Sequence, residues 1–412
     1  MNCINQENLQ NQTNLQNQEK LVKSFNQYCG NGVINKNKAV ESLKVLSKNG
    51  EKLATAILLF KESSICNSDK MYQLMEFCIK NIDKYTNNYK SIVYFIFGEL
   101  HHYGIGTIQN FKKAHEYYLD SSELGCSNSL ISLSSMYNKG QGVEINHKKA
   151  INILKHAIEL ENSTAMVKLG IMYQDGIGCV LDHEMAFNMF IRAAKMGNAK
   201  AMGSIGYMYE CGLGRERDMR KSINFYKASL AYGDLNAMNN LGKLYYFGIG
   251  VPKNTETGIY MFETASKRNN INATYNLAKI YSCDVHSNYK TSVQLFEKCI
   301  NMGLLDALHD LGIMYLKGKG VGKDPETAMK YLYESYNNKS NEKEIYNVVK
   351  TENICWNQKY YKFWPNRNAL DSQISTILLI SKFRCMSDNK NVQFFVKGIC
   401  MIVVEYLCYI SK

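Results

Sequence analysis

One run of residues returns along this chain at a spacing of 36, and that period limits the possible folds more than any other feature. Its clearest copies read LGIMYQDGIG from Leu169, IGYMYECGLG from Ile205 and LGKLYYFGIG from Leu241. The tyrosine of each copy falls at Tyr137, Tyr173, Tyr209, Tyr245 and Tyr281, 36 residues apart. It recurs at Tyr315 after a two-residue deletion, and His101 holds the same place one period upstream. A period of this length signals stacked supersecondary units, none of which can bury its apolar face alone.

The seven copies, from about Tyr89 to Lys339, each divide into two apolar-periodic segments, helix A and helix B. In helix A a small residue (Ala165, Ala201, Ala237) is followed by Leu or Ile four positions on, Met or Leu after three more, and then the tyrosine. Spacings of i, i+4, i+7 and i+8 place these side chains on one buried stripe. A glycine after the Leu, as at Gly170, Gly206, Gly242 and Gly312, predicts close approach of a neighbouring helix. Helix B alternates small residues with an aromatic or Leu column that includes Tyr118, Phe190, Tyr226, Phe262 and Phe296, so that successive pairs interlock.

The turn between the two helices is legible residue by residue. Gly140, Gly176, Gly212, Gly248 and Gly318 stand where a helix ends in a left-handed residue, and a second glycine follows two positions later. Asn110, Asn146, Asp182, Asp218, Asn254, Asn288 and Asp324 then form an N-cap column for helix B. The sixth copy departs from this scheme: SCDVHSNYK replaces the Gly-x-Gly turn and is two residues short, which predicts a local irregularity.

The pattern A-x3-LG-x2-Y-x2-G-x-G, an N-cap, and KA-x3-Y/F-x2-AA-x2-G resembles the Sel-1-like repeat family, relatives of the tetratricopeptide repeats, over about 250 residues. The resemblance implies an all-α fold, a right-handed superhelix of antiparallel helix pairs, used as an interaction scaffold or adaptor. It also implies that the helix-A face away from the apolar stripe lines a concave groove.

Outside the array, residues 1–18 are Asn/Gln-rich and are expected to lack stable structure. Residues 21–84 read as degenerate helical repeats forming an N-terminal cap. Residues 340–412 hold Trp356, Trp364 and two apolar segments, and are expected to form a C-terminal helical cap or module. Lys397 and Glu405 interrupt the last apolar segment, which argues against a membrane span. The N-terminus has neither a basic start nor an apolar run, and thirteen cysteines lack any CxxC or zinc-ligand spacing. Together these predict an intracellular, cytoplasmic protein with reduced thiols.

No catalytic constellation, phosphate-binding loop or metal-ligand cluster stands out, so no catalytic residue, cofactor or metal is expected. A net charge of +12 favours acidic partners, yet no block of Lys and Arg interleaved with aromatics suggests nucleic acid. The chain therefore reads as a non-enzymatic scaffold for a protein or extended peptide, with no membrane partner. The alternatives are an enzyme activity in the C-terminal segment or a membrane-tethered adaptor. The candidate groove residues, at fixed offsets from the tyrosine, are Lys168, Ser204, Tyr207, Asn236, Asn240, Lys243, Asn272, Asn276 and Lys279. The four asparagines would hold an extended backbone, because each amide both donates and accepts, while the lysines would meet acidic groups.

Overall fold

The computed structural model describes residues 2–29, 33–62, 68–283 and 286–337, and the expected C-terminal cap lies outside them. The chain divides into two compact units, Met1–Asn254 and Thr255–Lys412, with the division in the turn of the fifth repeat. Among the described residues all regular structure is helical.

The first unit opens with α1 (Asn2–Cys29), α2 (Val33–Lys48), α3 (Lys52–Glu62) and α4 (Ser68–Lys80). Four full repeats follow as α5 (Asn87–Tyr103) with α6 (Phe111–Glu123), α7 (Ser127–Lys139) with α8 (His147–Glu159), α9 (Ser163–Asp175) with α10 (His183–Lys195), and α11 (Ala199–Cys211) with α12 (Met219–Ala231). Helix A of the fifth copy, α13 (Leu235–Phe247), completes the unit. The second unit holds α14 (Thr255–Lys267), then α15 (Ile271–Ser282) with α16 (Tyr289–Asn301), and α17 (Asp306–Lys317) with α18 (Pro325–Asn337). Within each unit successive helices pack in chain order, which is the all-α array of helix pairs that the period predicts.

Residues 2–18 form the first part of α1. The segment contains neither Gly nor Pro, and Gln, Glu and Leu are good helix formers. It is also tied down at its end, where buried Gln18 accepts from the Thr86 backbone N–H at 3.1 Å. Beyond it, Leu21, Phe25, Leu43, Leu53 and Met75 join Tyr89, Phe97 and Leu100 in one core, so the irregular helices cover the apolar face of the first repeat.

In the repeats the expected columns are buried. Ala165, Leu169 and Met172 of α9 are each at most 5% exposed, and Phe190 of α10 is fully buried. The tyrosine column does more than fill core. The Tyr209 ring packs edge-on against Phe187 of the preceding repeat and stacks with Phe225 of its own, joining the third and fourth repeats. Its carbonyl accepts the N–H of the next cap residue, Asp218, at 3.0 Å, as the Tyr137 carbonyl does from Asn146 at 2.8 Å.

Both turn glycines have a steric cause. Gly176 ends α9 in the left-handed region (φ +67°), where its N–H closes on the Met172 carbonyl. The second glycine lies against the preceding repeat: a Cβ on Gly214, itself at φ +66°, would sit 2.8 Å from the His183 carbonyl group. Each turn is thereby seated on the first residue of the previous helix B, with Gly142 on Phe111, Gly178 on His147 and Gly250 on Met219. Within helix A, a Cβ on Gly206 would approach the Tyr226 ring to 2.8 Å, which is the close helix approach predicted from sequence.

Candidate protein-binding surface

The offsets used to choose the candidate residues divide into two kinds of environment. In the fourth to sixth copies positions nine and two before the tyrosine are exposed, as at Lys200, Asn236 and Lys243 in the first unit and Asn272 and Lys279 in the second. Positions five before it are half-buried, as at Lys168, Ser204, Asn240 and Asn276. The reason is visible in two bonds. Ser132 donates to Glu99 Oε1 at 3.2 Å, and Lys168 Nζ donates to Ser135 Oγ at 2.9 Å. In each case a residue at the −5 position of one helix A reaches the −2 position of the helix A before it. The −5 column therefore lies in the furrow between neighbouring A helices.

Burial shapes the chemistry of that furrow. Lys168 has its ammonium pKa lowered, first by burial and then by Lys139 and Lys200. Glu99 is shifted up by burial, opposed by the hydroxyls of Tyr118 (2.7 Å) and Ser132. Tyr207 is exposed, and its phenol is pushed up first by a hydrogen bond with Cys211. Lys279 of α15 lies 5.5 Å from the centre of the Tyr275 ring, whose hydroxyl donates to Asp310 of α17 at 2.6 Å.

The structure qualifies the asparagine reading. Asn236 and Asn240 stand on α13 of the first unit and Asn272 and Asn276 on α15 of the second, two to each. Asn240 belongs to a network: it accepts from Asn239 at 3.3 Å and bonds Tyr226, whose hydroxyl donates to Glu210 Oε2 at 2.7 Å. Part of its hydrogen-bonding capacity is thus already used within the protein.

A second asparagine series has a structural role that the candidate list omitted. Asn162, Asn198 and Asn270, with Asp234, cap the A helices, as in the bond from Ala201 N to Asn198 Oδ1 at 3.2 Å. Asn162 also donates to Ser127 Oγ at 2.9 Å and Asn198 to Ser163 Oγ at 3.2 Å, stitching each A helix to the preceding one. Their recurrence at 36 residues was available in the sequence. At this end of the A helices, next to α1, a cleft of about 580 Å³ opens among Asn26, Asn88, Asn128, Asn162 and Thr164.

Among the described residues, no group of His, Cys, Asp and Glu could hold a metal ion. No described helix is long and apolar enough to cross a membrane.

The family model of the Sel1 repeat matches residues 94–126, 127–162, 163–198, 199–231, 235–270 and 305–340, just over half of the chain. The chain belongs to the Sel1 repeat family, whose members are generally protein–protein interaction scaffolds and typically non-enzymatic. The matched segments pass over residues 271–304, the copy without the glycine turn. A Sel1 repeat protein from Oxalobacter formigenes is 22% identical, covers 58% of this chain and 100% of its own, and superposes with a TM-score of 0.49. A protective antigen present in uropathogenic Escherichia coli strains, displaying an SLR fold, is 22% identical over 92% of this chain and 79% of that one, with a TM-score of 0.48. An immunity protein from Pseudomonas aeruginosa is 17% identical over 53% of this chain and 83% of its own, with a TM-score of 0.42. No curated protein matches the sequence.

Proposed function

We propose that this protein is a non-enzymatic scaffold that holds an extended, acidic segment of a partner protein along the A-helix face of its first unit. The observation that carries this reading is the placement of Lys168. Its ammonium is half-buried in the furrow between α7 and α9, with Lys139 and Lys200 close enough to disfavour its charge. A carboxylate laid along the furrow would relieve that repulsion and regain a charge-assisted bond. Exposed Tyr207, Asn236 and Lys243 and half-buried Ser204 and Asn240 extend the same offsets over α11 and α13. Asn272, Asn276 and Lys279 supply an equivalent set on α15.

The test is affinity capture from the native cell with mass spectrometry, comparing the full chain with a Lys168→Ala/Asn240→Ala variant and, separately, with Asn272→Ala/Asn276→Ala. Loss of a defined partner by about tenfold or more in the first variant is expected, since a lost charge-assisted bond costs roughly 1.5–3 kcal/mol. Identical capture by all three chains would sink the A-helix face as the binding surface.

A further inference from the structure

The turns between helices A and B carry a feature that peptide binding in the furrow leaves unused. Ile108 is 88% exposed and Val180 86% exposed, with Tyr103, Ile145 and Leu181 also more than half exposed. Tyr103 ends α5, and the other four belong to the A–B turns of the first three repeats. Those turns are aligned on one edge, because Gly142 is seated on Phe111, Gly178 on His147 and Gly214 on His183. The apolar tips therefore form a row, separated by roughly the 8–10 Å of packed helices.

Such exposure is not that of a protein-binding groove, where apolar side chains are already half-covered by walls. These are protruding tips, suited to entering a soft medium. Around the first two turns the setting is basic. Lys112, Lys113 and Lys148 are exposed in the first turns of α6 and α8 and make no ion pair among the described residues, and Lys149 lies over the Tyr137 ring. The acidic groups of this edge are Glu144 and Asp175, which are exposed, and two more on the third turn that are engaged. Asp182 accepts from Met185 N at 2.8 Å as a helix cap, and Glu184 faces Arg215 at 3.6 Å.

We infer that this turn edge is a peripheral docking surface for an anionic lipid membrane, with Ile108, Ile145 and Val180 entering the interface and the lysines of α6 and α8 meeting the headgroups. Apolar insertion and headgroup attraction each bind weakly, and together they give a stable, salt-sensitive association. The docked protein would lie on the membrane by its loop edge, leaving the A-helix face turned elsewhere and open to a partner.

The experiment is co-sedimentation of the full chain with phosphatidylserine/phosphatidylcholine vesicles, beside phosphatidylcholine alone, at low and high salt. Three chains are compared: the native one, Ile108→Ser/Val180→Ser, and Lys112→Glu/Lys113→Glu. These side chains are exposed, and circular dichroism checks that the variants stay folded. Expected is binding to the anionic vesicles only, reduced at high salt and weakened about tenfold or more in each variant. Binding that persists unchanged in both variants would assign membrane association to another part of the chain and overturn the proposal. So would no binding to either vesicle, or a native dimer in light scattering that the Ile108/Val180 variant alone loses, which would make the edge a contact between copies.

Discussion

The third and sixth repeats solve the same packing problem with different turns. In the third, Gly176 ends helix A in the left-handed region and the Asp182 N–H returns to the Tyr173 carbonyl at 2.9 Å. In the sixth, α15 ends at Cys283 in an extended conformation, and the positive φ moves to Ser287 (+24°). Its cap is also longer, with Thr291 N at 3.4 Å from Asn288 Oδ1 against 2.8 Å for Met185 N and Asp182. The buried columns nevertheless persist: Leu277, Ile280, Phe296 and Cys299 occupy the same places as Leu169, Met172, Phe190 and Ala193. Stacking is therefore set by the columns, and the glycines refine the connection. The sixth copy, which lacks the glycine turn, falls outside the family matches, while its buried columns are retained.

That contrast can be broken most forcefully at the core. Phe190→Ala and Phe296→Ala should each destabilise the protein by roughly 3–5 kcal/mol in urea unfolding, since both rings are buried. A cost for Phe296→Ala below half that for Phe190→Ala would mean that the sixth copy has lost packing as well as its turn. Next comes the helix-A glycine. Gly206→Ala forces a methyl toward the Tyr226 ring and should cost about 1–3 kcal/mol, whereas Ala278→Gly at the equivalent place of the sixth copy should cost only about 1 kcal/mol, in backbone entropy. Equal costs would show that helix approach is the same in both. Caps give a smaller difference. Asp182→Ala is expected to lose about 1 kcal/mol, and Asn288→Ala less, because its bond is already stretched.

The smallest effect distinguishes the first repeat from the fourth by pH. His101, His102 and His115 all have pKa values lowered by burial, reinforced by Lys113, Lys139 and Lys149 respectively. The unfolded chain takes up these protons near pH 6.5, while the folded repeat does so only at lower pH. Their stabilisation is thus complete above that value and declines as pH falls below it. Hydrogen exchange at pH 7.5 and 5.5, corrected for intrinsic rates, should show protection falling in α5 and α6 more than in α11 and α12. An equal response in both would remove the distinction.

The candidate surface was legible only in part. Offsets from the tyrosine correctly separate helix-A positions outside the apolar stripe from those within it, because a helix fixes angular position by residue count. They do not tell Asn236, which is exposed, from Asn240, which is half-buried and bonded to Tyr226. Nor do they reveal that Lys168 reaches Ser135, 33 residues away. At the N-terminus composition shows few apolar groups, and it does not show that Gln18, at the end of that segment, accepts from the Thr86 backbone N–H, 68 residues away.

What the sequence by itself determined is everything that recurs: helix pairs, buried columns, turn glycines and B-helix caps. Each depends on neighbours within one period, so repetition makes the local preference readable. The tertiary structure alone decided which A-helix residues sink into the furrow, how Asn162 and Asn198 stitch one repeat to the last, and which turn tips protrude. Those outcomes depend on the rotation and spacing of helices from adjacent repeats, which packing fixes and periodicity leaves open.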